Sequence, residues 1–133
     1  MTAFAIAPVK DATIKITSRT TDPGVAVIAF DGVLGHRDPR PILEPLLTSV
    51  HEAARAAQIR KVVVDIRNLR FMNSSSFKHF VAWVKANNSL EAGQRYQLHF
   101  VLQPAHHWQK VSIHALGCFS TDPITSENAT EDE

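Results

Sequence analysis

Cysteine is almost missing from this chain: 133 residues carry a single one, Cys118. A lone cysteine cannot close an internal disulfide, so a packed core must hold the fold, and a reducing compartment suits it. No apolar stretch approaches the roughly 18 residues that a membrane span requires. The opening MTAFAIAPVK has a short apolar run with no basic region ahead of it, which argues against a secretory leader. An excess of one charge is missing too, since 14 basic side chains meet 13 acidic ones. That balance argues against the basic stripe of a nucleic-acid binder. The expectation is a cytoplasmic protein with neither membrane nor nucleic acid among its partners.

Signatures of catalysis are equally scarce. No G-x-S-x-G turn presents a nucleophile, and no glycine-rich phosphate loop is found. The seven histidines invite a metal reading. However, the adjacent His106 and His107 would point about 100° apart on a helix. His79, His99 and His114 fall on three separate elements, with no cysteine or carboxylate at ligand spacing. The chain is therefore expected to hold no metal or cofactor and to be no enzyme.

What is present is an alternation of strand and helix patterns. Ala12–Ser18 (ATIKITS) and Val25–Phe30 (VAVIAF) read as strands around the turn residues Thr20–Gly24. Asp31–Arg40 reads as a loop. Pro41–Ala57 carries a helical stripe of Ile42, Leu43, Leu46, Leu47, Val50, Ala53, Ala54 and Ala57. Pro45 is expected near that helix's first turn, where its missing donor does least harm. Lys61–Ile66 (KVVVDI) is the clearest strand in the chain. Phe77, Phe80, Val81 and Val84 then mark an amphipathic helix running to about Ala86, with Trp83 at the edge of the stripe, closing the core's flank or anchoring a partner. Tyr96–Leu102 alternates as a strand. Trp108, Val111, Ser112, Ala115 and Leu116 suggest a third helix, with Gly117 as its cap. Ile124–Thr125 suits a short edge strand. The expected class is α/β: one domain over residues 1–126, with helices packed against a small mixed sheet, and an acidic, disordered tail over 127–133.

Three consecutive serines, Ser74, Ser75 and Ser76, lie where the second helix begins. A helix start leaves backbone N–H groups unpaired, and Asn73 or Ser74 could cap one of them at about 1 kcal/mol. The same place suits a phosphate, because positive partial charge gathers there. Arg67, Arg70 and Lys78 lie close in sequence and could add charge-assisted bonds.

The run from Lys61 to Phe77 has an apolar strand with Asp65, a short connection through Phe71-Met72, and then Asn73-Ser74-Ser75-Ser76-Phe77. It resembles the signature of the STAS domains, found in anti-sigma-factor antagonists and in the cytoplasmic part of sulfate transporters. Phe30-Asp31-Gly32-Val33-Leu34-Gly35 and Leu116-Gly117 are similar to further parts of the family pattern, so the likeness runs over about residues 12 to 126. In the family an aspartate precedes the serines and a glycine follows; Asn73 and Ser76 stand there in this chain.

The resemblance implies a non-enzymatic interaction domain that docks a GHKL-type serine kinase, or anti-sigma factor. Ser74 would be the phosphoacceptor, with Ser75 as alternative, and a phosphatase would reset the switch. The docking residues it implies are Asn73, Ser74, Ser75, Ser76, Phe77 and Lys78, with Asp31, Gly32 and the loop to Arg40 as a second surface. The other reading is an unphosphorylated STAS-like module, acting as a homo-oligomeric scaffold or binding a small ligand.

Overall fold

The computed structural model describes residues 3–130. Its sheet starts from a meander: β1 (Val9–Lys10) pairs antiparallel with β2 (Ile14–Asp22), which pairs antiparallel with β3 (Val25–Leu34). Gly24, with φ of 79°, makes the turn between β2 and β3 in a conformation that side chains disfavour. From β3 onward every neighbour is parallel and is reached through a helix, as parallel pairing requires. Helix α1 (Arg40–Ala56) leads to β4 (Lys61–Met72), α2 (Ser74–Asn88) to β5 (Gln97–Leu102), and α3 (His107–Gly117) to β6 (Thr125–Asn128). The six strands lie side by side in sequence order.

One face of the sheet forms the core. Ile14 and Ile16, Ala26, Ile28 and Phe30, Val62, Val64 and Ile66, and Leu98 and Phe100 are buried at alternate positions of four strands. Against them pack Leu43, Leu46, Leu47 and Val50 of α1, Phe80, Trp83 and Val84 of α2, and Ile113 and Leu116 of α3. Of the intervening strand positions, Lys15, Thr17, Asp31, Asp65 and His99 are exposed or half-buried, while Val27 and Val101 are buried. The expected α/β layering, with helices on a mixed sheet, is therefore what the chain forms.

Several boundaries differ for physical reasons. The expected loop at Asp31–Arg40 begins later, because β3 continues to Leu34 and β4 continues to Met72 beside it. Register shifts between Ala29 and Asp31, and again between Gly32 and Val33, let these strands stay paired through residues that read as a turn. Pro45 lies in the second turn of α1 rather than the first, on the exposed side. The carbonyl it leaves without a helical donor is that of the exposed Pro41.

Gly117 is the last residue of α3 and has no positive φ, so it is not the expected left-handed cap. The left-handed cap belongs to α1, where Gln58 has φ of 55°. There the Ile59 N–H donates to the Ala54 carbonyl at 2.8 Å and the Gln58 N–H to that of Arg55 at 3.2 Å. The boundary expected at residue 126 falls inside β6, where Glu127 and Asn128 lie opposite Val101 and Leu102. The tail's last three residues are outside the described residues.

Candidate docking site at the start of helix α2

The three serines stand in three different environments. Asn73 follows β4 in an extended conformation and caps α2, its Oδ1 accepting the Ser76 N–H at 2.8 Å. Its Nδ2 donates to the His36 carbonyl at 2.9 Å, and its backbone N–H donates to the Leu34 carbonyl at 2.9 Å. A carboxylate here could cap the helix but could not donate to His36, which gives a physical account of asparagine at this position. Ser76 is fully buried, and its hydroxyl donates to the Leu34 carbonyl at a long 3.4 Å. Ser75 is half-buried. Ser74 is exposed, and among the described residues its hydroxyl makes no hydrogen bond.

Around Ser74 the surface is mixed. Lys78 is exposed one turn along α2, on the same side of the helix. Phe77 is partly buried against the core. Phe71 is 50% exposed, an unusual state for a large apolar side chain, and its ring lies over Gly35, where an added Cβ would approach it at 3.6 Å. The indole N–H of Trp108, on α3, donates to the Arg70 carbonyl at 3.0 Å and closes the site's far side. Arg67, expected near the serines, is instead held by Asp65, its Nε donating to both carboxylate oxygens at 3.0 and 3.1 Å.

Two of the expected docking residues, Ser76 and Gly32, need correction, and a third, Asp31, belongs to a separate surface. Ser76 is inside the protein, because its hydroxyl has turned toward β3. Gly32 is buried at φ of 128°, where a Cβ would lie 2.1 Å from the Thr13 carbonyl oxygen, so its role is the close passage of β2 and β3. Asp31 is exposed, but it sits opposite Lys15 on the sheet face away from the helices. It is not brought together with Ser74.

The sequence reading missed Asp11 and His36, 25 residues apart, as partners beside this site. Asp11 Oδ1 accepts the N–H groups of Thr13 and Ile14, and Oδ2 meets His36 Nε2 at 2.8 Å. The Thr13 N–H above all, helped by His36, holds the Asp11 carboxyl down at about 2. The chain from Asp11 through His36 to Asn73 thus fastens the β1–β2 corner to the start of α2. Only contact across a fold could have revealed it.

A second polar cluster lies deeper, between α1, α2 and the start of β5. Trp83 Nε1 donates to the Tyr96 hydroxyl at 2.7 Å, and that hydroxyl shares a hydrogen bond of 2.6 Å with His51 Nδ1. Burial lowers the His51 pKa and raises that of Tyr96, so both stay neutral. Trp83 is accordingly a core residue and not a partner anchor. Among the described residues no three histidine, cysteine or carboxylate side chains gather as a metal site. No helix among them is long and apolar enough to cross a membrane.

A mixed sheet with helices at its parallel crossovers, and a capped helix start at the carboxyl end of a central strand, is consistent with a STAS-like fold. Neither a family model nor a curated protein matches the chain. Among solved structures it is similar to SiaC in the crystal structure of the diguanylate cyclase SiaD in complex with its activator SiaC from Pseudomonas aeruginosa. The TM-score is 0.67 at 13% identity, covering 93% of this chain and 100% of that one. At that identity the likeness establishes the fold.

Proposed function

We propose that this chain is a non-enzymatic regulator that works by docking a partner protein at the start of α2, and that phosphorylation of Ser74 reverses the docking. The observation that carries this reading is the division of labour among Asn73, Ser74 and Ser76. Capping falls to Asn73 and core packing to Ser76, which leaves the Ser74 hydroxyl exposed and unbonded at a helix N-terminus. A phosphate there gains from the helix dipole and from Lys78, so the modified helix remains intact. Beside it, Phe71 offers an apolar anchor for a partner. About two added negative charges at the rim of that anchor would weaken docking through repulsion and desolvation.

The similarity to SiaC, whose structure was determined with the cyclase it activates, supports a protein as the partner. The motif's resemblance to anti-sigma-factor antagonists suggests a GHKL-type serine kinase, with a phosphatase resetting the switch in the cytoplasm. The test is mass spectrometry on protein isolated from its native cells, with Ser74→Ala and Phe71→Ala alongside. The expected result is a phosphate on Ser74 that Ser74→Ala abolishes, and a co-isolated protein that Phe71→Ala loses. Absence of the phosphate under both growth and stress would overturn the switch. Retention of every partner by Phe71→Ala would overturn the docking face.

A further inference from the structure

The opposite end of β4 carries a second site, unrelated to the serines. A cleft of about 590 Å³ opens where the β2–β3 turn, the α1–β4 loop and the segment before β5 meet. Arg55, Arg60 and Arg95 line it, one from each of α1, the following loop and the approach to β5, and no carboxylate does. One of these guanidinium groups, that of Arg95, is anchored, and that of Arg60 packs on the β2–β3 turn. The Arg60 side chain lies over Gly24, close enough that a Cβ there would meet its Nε at 3.1 Å. Its backbone is fixed as well, since its N–H donates to the Gly24 carbonyl at 2.8 Å and its own carbonyl accepts the Gln97 N–H at 2.8 Å. Arg95 donates from Nε to Asp122 at 2.8 Å and from Nη1 to the Leu90 carbonyl at 3.0 Å. The guanidinium groups of Arg55 and Arg60 make no hydrogen bond or ion pair among the described residues.

A basic residue in the last turn of a helix complements its dipole, which explains Arg55 taken alone. It does not explain Arg60 or Arg95, which come from other segments. The carbonyls at the end of α1 are already taken by the N–H groups of Ala57, Gln58 and Ile59, so they compete little for the guanidinium donors. With Arg95 paired to Asp122, Arg55 and Arg60 remain without an ion-pair partner among the described residues around one concavity, although Arg55 also borders a neighbouring cleft that holds Glu52. Pro23, Ala54 and Ala57 add apolar wall, against which an organic body would rest.

We infer that this cleft binds a small organic phosphate, its phosphate oxygens taken by Arg55 and Arg60 and its body lying on the apolar wall. Guanidinium forks match phosphate oxygens in pairs, and charge-assisted bonds of this kind are the strong ones. The site is independent of the docking face, because β4's 12 residues separate Arg60 from Asn73 by on the order of 35 Å.

The test is calorimetric and NMR titration of the full chain at low ionic strength with inorganic pyrophosphate and with adenosine diphosphate. The expected result is saturable binding of both, tighter for the nucleotide, with amide shifts at Gly24, Gln58 and Gly93. Arg55→Gln and Arg60→Gln should each weaken binding about tenfold. Arg37→Gln, in the loop before α1, should leave it unchanged. Equal affinity for the two probes would overturn the organic part of the inference. No saturable binding, or equal losses in all three variants, would reduce the arginines to solvated surface charge. Far-ultraviolet circular dichroism of each variant separates a lost site from a lost fold.

Discussion

Helices α2 and α3 begin at the same end of the sheet, after β4 and β5, yet they are fastened in opposite ways. Each depends on one buried or half-buried carboxamide. For α2 it is Asn73, outside the helix in the capping position. For α3 it is Gln109, three residues inside a helix whose own cap, His106, makes no side-chain bond. Gln109 is fully buried; its Nε2 donates to the carbonyls of Ile66 and Leu69 at 2.6 and 2.9 Å, and its Oε1 accepts the Gln103 N–H at 2.8 Å. An anchor inside the helix fixes the rotation of α3 over the sheet. An anchor before the helix fixes where α2 starts and leaves its first turn free for other work.

The largest effect follows from removing the inner anchor. Gln109→Ala leaves two carbonyls and one N–H of the β4 and β5 ends without partners in a buried place. The expected loss is about 3 kcal/mol, read as a lower urea midpoint at unchanged slope. A loss below about 1 kcal/mol would mean that water reaches these groups, and the contrast between the two helices would fail.

Removing the outer anchor should cost less. Asn73→Ala forfeits a cap and the bond to the His36 carbonyl, together about 2 kcal/mol. Asn73→Asp separates the two contributions. It keeps the cap, and its charge favours the helix start, but it turns a carboxylate toward the His36 carbonyl where the amide donated. Its expected cost is about 1 kcal/mol, between wild type and alanine. Should aspartate be as stable as asparagine, the tie to His36 would carry no weight.

This contrast also explains what the sequence could and could not reveal. Asn73 was legible as one of two cap candidates, with Ser74, because both precede an apolar period, and Leu43, Leu46, Leu47 and Val50 were legible as core by the same rule. For α3 the rule misled. Trp108, Val111, Ser112, Ala115 and Leu116 form the more regular apolar stripe, yet Val111 is 70% exposed, and the buried residues are Gln109, Ile113 and Leu116. A glutamine counts as polar in any periodicity, so an inward carboxamide rotates the helix away from its apparent stripe. The lengths of β3 and β4 were hidden for a related reason: Asp31-Gly32 is turn chemistry, and only a neighbouring strand shifting in register keeps it in a sheet. The edge strand expected at Ile124–Thr125 forms as β6 over Thr125–Asn128, and its polar continuation pairs through the backbone, which composition does not record. At the site, the serines were legible as a group. Their separation into exposed Ser74 and buried Ser76 depends on Leu34, 42 residues before Ser76, and so on the fold.

The smallest expected effect is the most telling for function. Ser74→Ala removes a hydroxyl that holds nothing in the described structure, so stability should change by less than about 0.5 kcal/mol. Ser74→Asp adds a charge at the helix start and should be neutral or stabilising by about 0.5 kcal/mol. Measured beside Asn73→Ala in the same urea series, these two variants separate a residue that builds the helix start from one that only occupies it. A loss near 1 kcal/mol in Ser74→Ala would make the serine a second cap, and the hydroxyl would not be free to accept a phosphate without disturbing the helix. Stability unchanged in both variants, with partner binding kept by alanine and lost by aspartate, would place the effect of charge at the docking face itself. The same addition that costs the fold nothing would then decide whether the partner stays bound.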